Sequence, residues 1–318
     1  MSQEFGYNNN NFDCNLNNTI KNDGVAKFNG KEWGFNSFKI GTFNCLGLSR
    51  FSKRTLLKKR LPYMVKEFKA LDLDIICLQE VSKIVFDYLK NSNTIKKHYY
   101  FSNNNINWDF GGEQICFVLT KIKPVASKLY YLKGEHYYGI CIVDLGGFVV
   151  SSIYLQAGSS EGGVSDINKY SKCRISHITE GVKLIKDIAG ERQYFLLGDF
   201  NFHLDGPNSE STFLKKYNFY DIFRIKNPND KGYTENTERN SMRYNFKPYK
   251  KKVRYDGIFS NKETQIIECK LFGTEPIFSI SESKFKKVTN KDPVIVNKKK
   301  IDWFISDHFG VYCEVVLL

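Results

Sequence analysis

Four short polar segments, each at the end of an apolar run, constrain this 318-residue chain more than any other feature. They lie at residues 43–45, 78–80, 198–201 and 306–308, and they contain carboxylate, amide and imidazole side chains. A buried carboxylate or amide needs a partner or an ion to offset its lost hydration. The common placement of these segments predicts one shared site, built from distant parts of the chain.

The apolar runs and their periodicity predict the fold class. Residues 74–80 and 193–198 are typical of strands buried on both faces, and residues 55–71 and 166–189 carry apolar side chains near helical spacing. β-Branched and aromatic runs between residues 99 and 155 predict a meander of mostly antiparallel strands. We therefore expect an α/β fold, a four-layer α/β sandwich in which two stacked mixed or antiparallel β-sheets are flanked by helices.

The chain is expected to form one folded unit after a tail. Residues 1–31 are rich in Asn and lack apolar periodicity, which predicts a disordered tail. Residues 32–318 are predicted to form a single domain, because no interior linker is long enough to separate two. The lysine-rich stretch at residues 281–300 is interpreted as a surface insertion.

Composition narrows the class of protein. A hydrophobic content of 42% allows a large core, and no apolar run is long enough to span a bilayer. Without a signal pattern, we expect an intracellular protein of the cytoplasm or nucleus that is not secreted. The eight cysteines sit singly, which favours reduced core thiols over disulfides or zinc. A net charge of +13 is compatible with a polyanionic partner, but a Lys- and Asn-rich coding bias explains it equally well.

Glu80 and Asn44 end neighbouring predicted strands. A carboxylate at Glu80 suits a hard cation such as Mg²⁺, which takes one or two carboxylates and otherwise water and phosphate oxygens. Asn44 would hold the water shell of that metal. Taken alone, a carboxylate at Glu80 is more often a strand-terminal acid or a helix cap.

Two further segments suggest proton handling. Asp199 and Asn201 are two residues apart, which places both side chains on one face of an extended chain. Asp199 would then deprotonate a water while Asn201 donates to phosphoryl oxygens, although an Asx turn is the competing interpretation. His308 would donate to the phosphate or its leaving oxygen, with Asp256 holding the imidazole protonated. A lone histidine before a strand is more often structural, and it is the company of Asp256 and Asp307 that favours function.

Together these motifs resemble the endonuclease/exonuclease/phosphatase superfamily, the metal-dependent fold of deoxyribonuclease I, abasic-site endonucleases, neutral sphingomyelinases and inositol-polyphosphate phosphatases. The resemblance covers residues 38–316 and rests on the ordered set Asn44, Gln79-Glu80, Asp199-x-Asn201, Arg254-x-Asp256 and Ser306-Asp307-His308. It implies that Glu80, Asn44 and Asp307 hold Mg²⁺ or Mn²⁺. It also implies that Asp199 and Asn201 handle the water and the phosphate, and that Asp256 pairs with His308.

Within that superfamily, Gly232-Tyr233-Thr234 followed by Arg254-Tyr255-Asp256 is similar to the 5′-tyrosyl-DNA phosphodiesterase branch, which removes protein tyrosines from DNA 5′ ends. Two positions depart from the pattern. Tyr154 stands where that branch has a catalytic histidine, and a phenol can still donate to phosphate. His203 stands where those enzymes have a basic residue soon after the Asp-x-Asn motif.

The expected function is Mg²⁺-dependent hydrolysis of a nucleic-acid phosphoester by direct attack of water, as in DNA repair at strand ends or in an endo- or exonuclease. Lys251 and Arg254 lie in a basic stretch before Asp256 and would contact backbone phosphates. His203 and Arg174 are further substrate-side candidates, and Arg174 is interpreted as a support for the site or as a plain surface residue. We expect DNA rather than RNA as partner, no stable membrane association, and a monomer.

Two alternatives stay open at this point. One is a lipid phosphoesterase of the same fold, similar to a sphingomyelinase or a phosphoinositide phosphatase. It would need a membrane-seeking loop, for which the best candidates are Phe278, Phe285, Trp303 and Phe304. The other is a binding module that keeps the fold without turnover, which Tyr154 leaves possible.

Overall fold

The computed structural model of the protein describes residues 37–317, apart from residues 104–105, 107, 109–114, 133–137, 159–163 and 298. The predicted tail at residues 1–31 lies outside the described residues, so the predicted division into tail and single domain stays a prediction. Among the described helices, none is both long and apolar enough to cross a bilayer.

The strands of the described residues are, in chain order, β1 (Phe38–Asn44), β2 (Ile75–Val81), β3 (Tyr100–Phe101), β4 (Ile115–Thr120), β5 (Ala126–Tyr131), β6 (Gly139–Asp144), β7 (Phe148–Tyr154), β8 (Gln193–Asp199), β9 (Tyr220–Asp221), β10 (Glu235–Asn236), β11 (Lys252–Val253), β12 (Asp256–Ser260), β13 (Gln265–Phe272), β14 (Phe278–Ser281), β15 (Lys300–Trp303) and β16 (Gly310–Val316). The helices are α1 (Leu57–Leu71), α2 (Lys83–Asn91), α3 (Asn93–His98), α4 (Val164–Ala189), α5 (Ser209–Lys215), α6 (Ile222–Lys226), α7 (Ser241–Phe246) and α8 (Glu282–Thr289).

Two six-stranded sheets form the centre of the fold. The first has the strand order β13-β16-β1-β2-β4-β3 and the second β5-β6-β7-β8-β12-β9. Their inner faces share one apolar layer, to which the first sheet contributes Ile40 and Val118 and the second Val150 and Leu197. Helices α1 and α2 cover the outer face of the first sheet, and α4 covers that of the second. The predicted four-layer α/β sandwich is confirmed.

The lysine-rich stretch at residues 281–300 is part of the fold rather than a loose insertion. Helix α8 buries Phe285 against Trp303, with the two ring centroids 6.1 Å apart, and β14 pairs with β15 in a two-stranded ribbon. Lysines on the outer side of α8, such as Lys284 and Lys287, are exposed. The expectation of a surface insertion is therefore wrong for the apolar side of this segment, because lysine content reports only on the solvated face.

Strand direction brings the polar segments to one edge. Strands β1 and β2 run parallel and end at Asn44 and beside Glu80, while β7 and β8 run parallel and end with Tyr154 paired to Asp199. Strand β12 is antiparallel to β8, so its first residue, Asp256, lies opposite Asp199. Strand β16 is antiparallel to β1, and the segment just before it therefore reaches the same edge.

A buried polar bridge fixes the two sheets to each other next to this edge. The amide of Gln79 donates from Nε2 to Ser152 Oγ at 2.9 Å, and that hydroxyl donates to the carbonyl of Leu78 at 2.9 Å. Gln79 Oε1 accepts from Thr42 Oγ1 at 3.2 Å. Both the oxygen and the NH₂ group of the Gln79 side chain are thus hydrogen-bonded. The bridge fixes the spacing between the two sheets at the residue that precedes Glu80.

Gly198 packs directly against the backbone of β7, and its replacement tests that packing. A Cβ at Gly198 would lie 1.9 Å from the carbonyl oxygen of Ile153, so backbone must move to accept it. We expect Gly198→Ala to lower the free energy of unfolding by about 3 kcal/mol or more in urea titrations. Gly190→Ala is the matched control, because Gly190 has a φ of +58° but a Cβ added there would meet no neighbouring side chain or strand within 4 Å, and it should cost about 1 kcal/mol. Equal losses for the two variants would contradict the close approach.

Candidate active site

The converging segments line one cleft of about 230 Å³. From the strand ends and their flanking loops come Glu80, Tyr154, Asp199, Asn201, Asp307 and His308. The rest of the lining includes a basic and aromatic group from residues 243–255, namely Arg243, Lys247, Tyr249, Lys251 and Tyr255. Acidic and basic lining residues thus come from different segments of the chain.

Asn44 joins the carboxylates of the two sheets. Its Nδ2 donates to Asp199 Oδ2 at 2.9 Å and to Glu80 Oε1 at 3.2 Å. Its Oδ1 accepts from the backbone N–H of Leu46 at 2.9 Å, and since that group can only donate, the amide orientation is fixed. Asn44 therefore orients two carboxylates through its NH₂ group, and its expected role as a metal ligand stays a prediction that requires the amide to turn.

Glu80 has one satisfied and one unsatisfied carboxylate oxygen. It has a φ of +54° within an irregularity between β2 and β4, and its Oε1 also accepts from Tyr154 Oη at 2.9 Å. Its Oε2 is buried and has no hydrogen-bond partner among the described residues. Burial and the nearby Asp307 raise the pKa of Glu80. An unpartnered oxygen beside a second carboxylate is what a hard cation completes, so Glu80 and Asp307 fit Mg²⁺ or Mn²⁺.

Asp199, Asp256 and His308 form a compact buried cluster. One ligand atom from each lies within 4.8 Å of the others, and His308 Nδ1 is 2.8 Å from Asp256 Oδ2. Burial and Asp256 raise the pKa of Asp199 to about 7. Burial by itself would lower the pKa of His308, but Asp256 and Asp199 raise that pKa well above its usual value. The hydrogen bond between His308 Nδ1 and Asp256 Oδ2 uses two of the atoms that could bind a cation. This cluster is therefore better suited to proton transfer than to metal binding.

The Asp199–Asn201 segment differs from the extended geometry that was expected. Strand β8 ends at Asp199, and Asn201 has a φ of +54°, so strand alternation does not place its side chain. Asp199 Oδ1 accepts from the backbone N–H of Asn201 at 2.9 Å, which is the Asx-type contact of the competing interpretation. Asn201 Nδ2 donates to the carbonyl of Leu155 at 2.9 Å. The residue nevertheless lines the cleft.

Tyr154 points its hydroxyl into the acidic part of the cleft. Burial and the nearby Glu80 raise the pKa of Tyr154 well above its usual value, so the phenol remains a donor. Its ring packs against Tyr138, with centroids 5.1 Å apart. Tyr154, at the position where a histidine was expected, is thus a neutral donor whose hydroxyl is hydrogen-bonded to Glu80.

The four substrate-side candidates lie in different environments. Only Lys251 lines the cleft. Arg254 is buried and donates to the carboxylates of Asp205 and Asp221, which engage its guanidinium away from the cleft. His203 lies beside Tyr233, with ring centroids 6.3 Å apart, and burial lowers its pKa.

Arg174 supports the cleft from behind. It is 5% exposed, so a plain surface role is excluded. It pairs with Glu210 at 2.6 Å and donates to the carbonyls of Gln156 and Gly158 at 3.1 and 3.0 Å. Because Gly158 lines the cleft, Arg174 acts on the site by holding this segment in place.

Sequence reasoning missed Arg60, which joins two of the converging segments. From α1 it donates to the carbonyls of Cys45, Leu46 and Ile305, just after Asn44 and just before Ser306. Burial lowers the pKa of Arg60 to about 10. A usable signal was present, since Arg60 interrupts the apolar face of an amphipathic helix between Leu57 and Leu61.

A scan against protein-family models and a search of curated proteins found no match to this chain. Solved structures do match. D. rerio TDP2 in complex with a single-strand DNA product has a TM-score of 0.64 at 16% identity, covering 89% of this chain and 100% of that one. SmcL has a TM-score of 0.66 at 16% identity, covering 88% and 99%. An endonuclease/exonuclease/phosphatase family protein from Bacteroides thetaiotaomicron has a TM-score of 0.59 at 16% identity, covering 89% and 95%. At these identities the likeness concerns the fold alone, and this chain has the deoxyribonuclease I-like fold.

Proposed function

We propose that this protein is a metal-dependent hydrolase of phosphoesters and that its substrate is nucleic acid. The observation that carries the proposal is the pairing, in one cleft, of an unpartnered Glu80 oxygen near Asp307 with the buried cluster of Asp199, Asp256 and His308. One half of this arrangement suits a hard cation and the other suits a proton donor and acceptor. A binding module without turnover has no need of buried carboxylates held at elevated pKa.

The chain's own groups supply the acid and base chemistry. Asp199, held by Asn44 and by the N–H of Asn201, takes the proton of the attacking water as that water adds to phosphorus. His308 keeps its proton through Asp256 and donates to a phosphoryl or leaving oxygen, and the hydroxyl of Tyr154 is a second donor. Glu80 and Asp307 would hold Mg²⁺ or Mn²⁺, which polarises the phosphoryl group and stabilises the departing oxyanion.

The lining of the cleft supports a nucleic-acid substrate. Residues 243–255 contribute both cations and aromatic rings, which are the groups that proteins use for backbone phosphates and for unstacked bases. D. rerio TDP2, which has a similar fold, was solved with a single-strand DNA product. We therefore propose a DNA end as the substrate, with DNA preferred to RNA.

Substitution of the proton-handling groups tests the mechanism. We expect Asp199→Asn and His308→Gln each to lower kcat/KM on a 5′-tyrosyl oligonucleotide by at least about 100-fold, because each removes a proton acceptor or donor from the transition state. Activity should vanish in chelator and return with Mg²⁺ or Mn²⁺. Lys270→Gln is the control, since Lys270 is an exposed residue of β13 paired with Glu268 and lies off the cleft. An Asp199→Asn protein that turns over near the parent rate would remove Asp199 from the mechanism.

The pH dependence of stability tests the electrostatics without any substrate. In chelator, the folded protein should lose stability as the pH rises from 5 to 8, because Asp199 keeps its proton to about pH 7 when folded but loses it near pH 4 when unfolded. The raised pKa of Glu80 and that of His308 act with the same sign. Melting temperatures should show a shallower decline for Asp199→Asn. Mg²⁺ should stabilise more at pH 8 than at pH 5, because it competes with protons for the carboxylates. An unchanged slope in Asp199→Asn would contradict this assignment.

A lipid phosphoester is the second candidate, and one observation favours it. The aromatic residues expected to seek a membrane are not available for it, since Phe285, Trp303 and Phe304 are buried and the ring of Phe278 stacks on Trp303.

The observation that favours a lipid substrate is a pair of exposed aliphatic side chains. Val294 and Ile295 are 54% and 41% exposed. The buried amide of Asn245 fixes this pair by accepting from both backbone N–H groups and donating to the carbonyl of Ile295.

Vesicle flotation separates the two candidates. We expect the protein to stay in the bottom fraction with phosphatidylcholine–phosphatidylserine vesicles, because two aliphatic side chains bury little apolar area in a bilayer. The opposite result would be flotation that Val294→Asp abolishes, together with release of phosphocholine from sphingomyelin. That result would replace the nucleic-acid substrate by a lipid and would leave the hydrolytic mechanism in place.

A further inference from the structure

The cleft carries more positive charge than its own carboxylates neutralise on the side formed by residues 243–255. Glu235, which is buried, lies 2.5 Å from Arg243 and 3.4 Å from Lys251. Arg243 also donates to Tyr249 Oη at 2.9 Å and to the carbonyl of Lys247 at 3.2 Å. One carboxylate is therefore shared by two cations and is closer to Arg243, so Lys251 and the exposed Lys247 carry the excess positive charge on this side of the cleft.

Lys251 is held above an aromatic ring that faces the catalytic histidine. Its Nζ lies 4.9 Å from the ring centroid of Tyr255 and 5.7 Å from that of Tyr249. The ring of Tyr255 is in turn stacked with His308, at 5.9 Å between centroids and 25° between planes. The ring of Tyr255 is thus in contact with both the ammonium group and the imidazole.

Both the backbone and the head group of Lys251 are fixed in this position. The residue's N–H donates to Thr237 Oγ1 at 2.7 Å, and its carbonyl accepts from the N–H of Thr237 at 2.9 Å. The side chain is 16% exposed. Among the described residues its Nζ makes the long ion pair with Glu235 and the two ring contacts but no hydrogen bond, which leaves its N–H donors for a ligand.

We propose that Lys251 binds a second anionic group of the substrate, a phosphate next to the one being cleaved. The site would then select substrates that carry two neighbouring phosphates over those that carry one. This inference rests on the proposed function, since it takes His308 to mark the position of the scissile phosphate. The second phosphate has two possible sources, a nucleic-acid strand or a small bisphosphate.

A matched pair of chromogenic esters isolates this contact. Thymidine 5′-(p-nitrophenyl phosphate) and the same compound with a 3′-phosphate share the scissile bond and the leaving group and differ only in the second phosphate. The parent protein should prefer the 3′-phosphorylated ester in kcat/KM, mostly through KM. Lys251→Gln should reduce that preference about tenfold, the usual effect of losing one charge-assisted contact, and Lys251→Arg should keep part of it.

Lys252→Gln is the matched control. Lys252 is the next residue, begins β11 and pairs with Glu238 at 2.6 Å, and it does not line the cleft. It should keep the full preference, and general damage to the protein would lower both esters together without changing their ratio. An unchanged ratio in Lys251→Gln, or a parent protein without any preference, would overturn the proposal.

Two further arms separate this inference from the proposed function. If the parent cleaves neither ester with Mg²⁺ or Mn²⁺, the proposed hydrolysis of nucleic-acid phosphoesters fails. The subsite is then tested by calorimetric binding of thymidine 3′,5′-bisphosphate against thymidine 5′-monophosphate, where Lys251→Gln must lose the difference. A short single strand bearing the same 5′ ester distinguishes the sources, since a KM below that of the bisphosphate assigns the second phosphate to a strand, and an equal KM to a small molecule.

Discussion

The constraint on which the structure depends is the burial of several carboxylates where the ends of two sheets meet. Glu80, Asp199 and Asp256 lie in β-strands whose residues are mostly apolar, and each would lose several kcal/mol of hydration if left alone. The fold offsets this with Asn44 between Glu80 and Asp199 and with His308 on Asp256. It does not offset all of it, because Glu80 Oε2 and Asp256 Oδ1 have no partner among the described residues. The rigid frame of paired strands and the Gln79–Ser152 bridge hold these groups together against their mutual repulsion.

Much of this arrangement could be predicted from sequence, because it follows from strand direction. An apolar run that ends in a carboxylate identifies both a buried strand and the edge at which it stops, which is why Glu80 and Asp199 were found without coordinates. The backbone turn at Asn201 does not follow from strand direction; the sequence offered it only as the competing Asx turn, whose hydrogen bond the structure shows. The environment of Arg254 was also missed. A motif gives the spacing of Arg254 to Asp256, but not the two carboxylates that engage the guanidinium.

The basic and aromatic part of the cleft was the hardest to foresee, for a physical reason. Of its five residues only Arg243 lies in a helix or strand, the six-residue α7, and the other four lie in irregular segments around the two-residue β11, which carry no periodic signal. Glu235 of β10 and Arg243 of α7 meet across the turn at residues 237–239, and their eight-residue separation matches no periodic pattern of a helix or strand. Lysine content likewise gave no guide, because Lys251 and Lys252 are adjacent and yet only the first reaches the cleft.

Hydrogen bonds also decide which carboxylate can take which role. Both oxygens of Asp199 already accept from nitrogen donors, Oδ1 from the N–H of Asn201 and Oδ2 from Asn44, so its carboxylate is held in one orientation. Glu80 accepts both of its bonds, from Asn44 and Tyr154, on Oε1. Its other oxygen, Oε2, has no partner among the described residues. The nearby carboxylate of Asp307 adds negative charge there and, together with burial, raises the pKa of Glu80. Asn44 donates to both groups, so it holds both in place without distinguishing them. The distinction lies in the other donors: Tyr154 bonds to the same Glu80 oxygen as Asn44 and leaves Oε2 without a partner among the described residues, whereas the N–H of Asn201 occupies the second oxygen of Asp199.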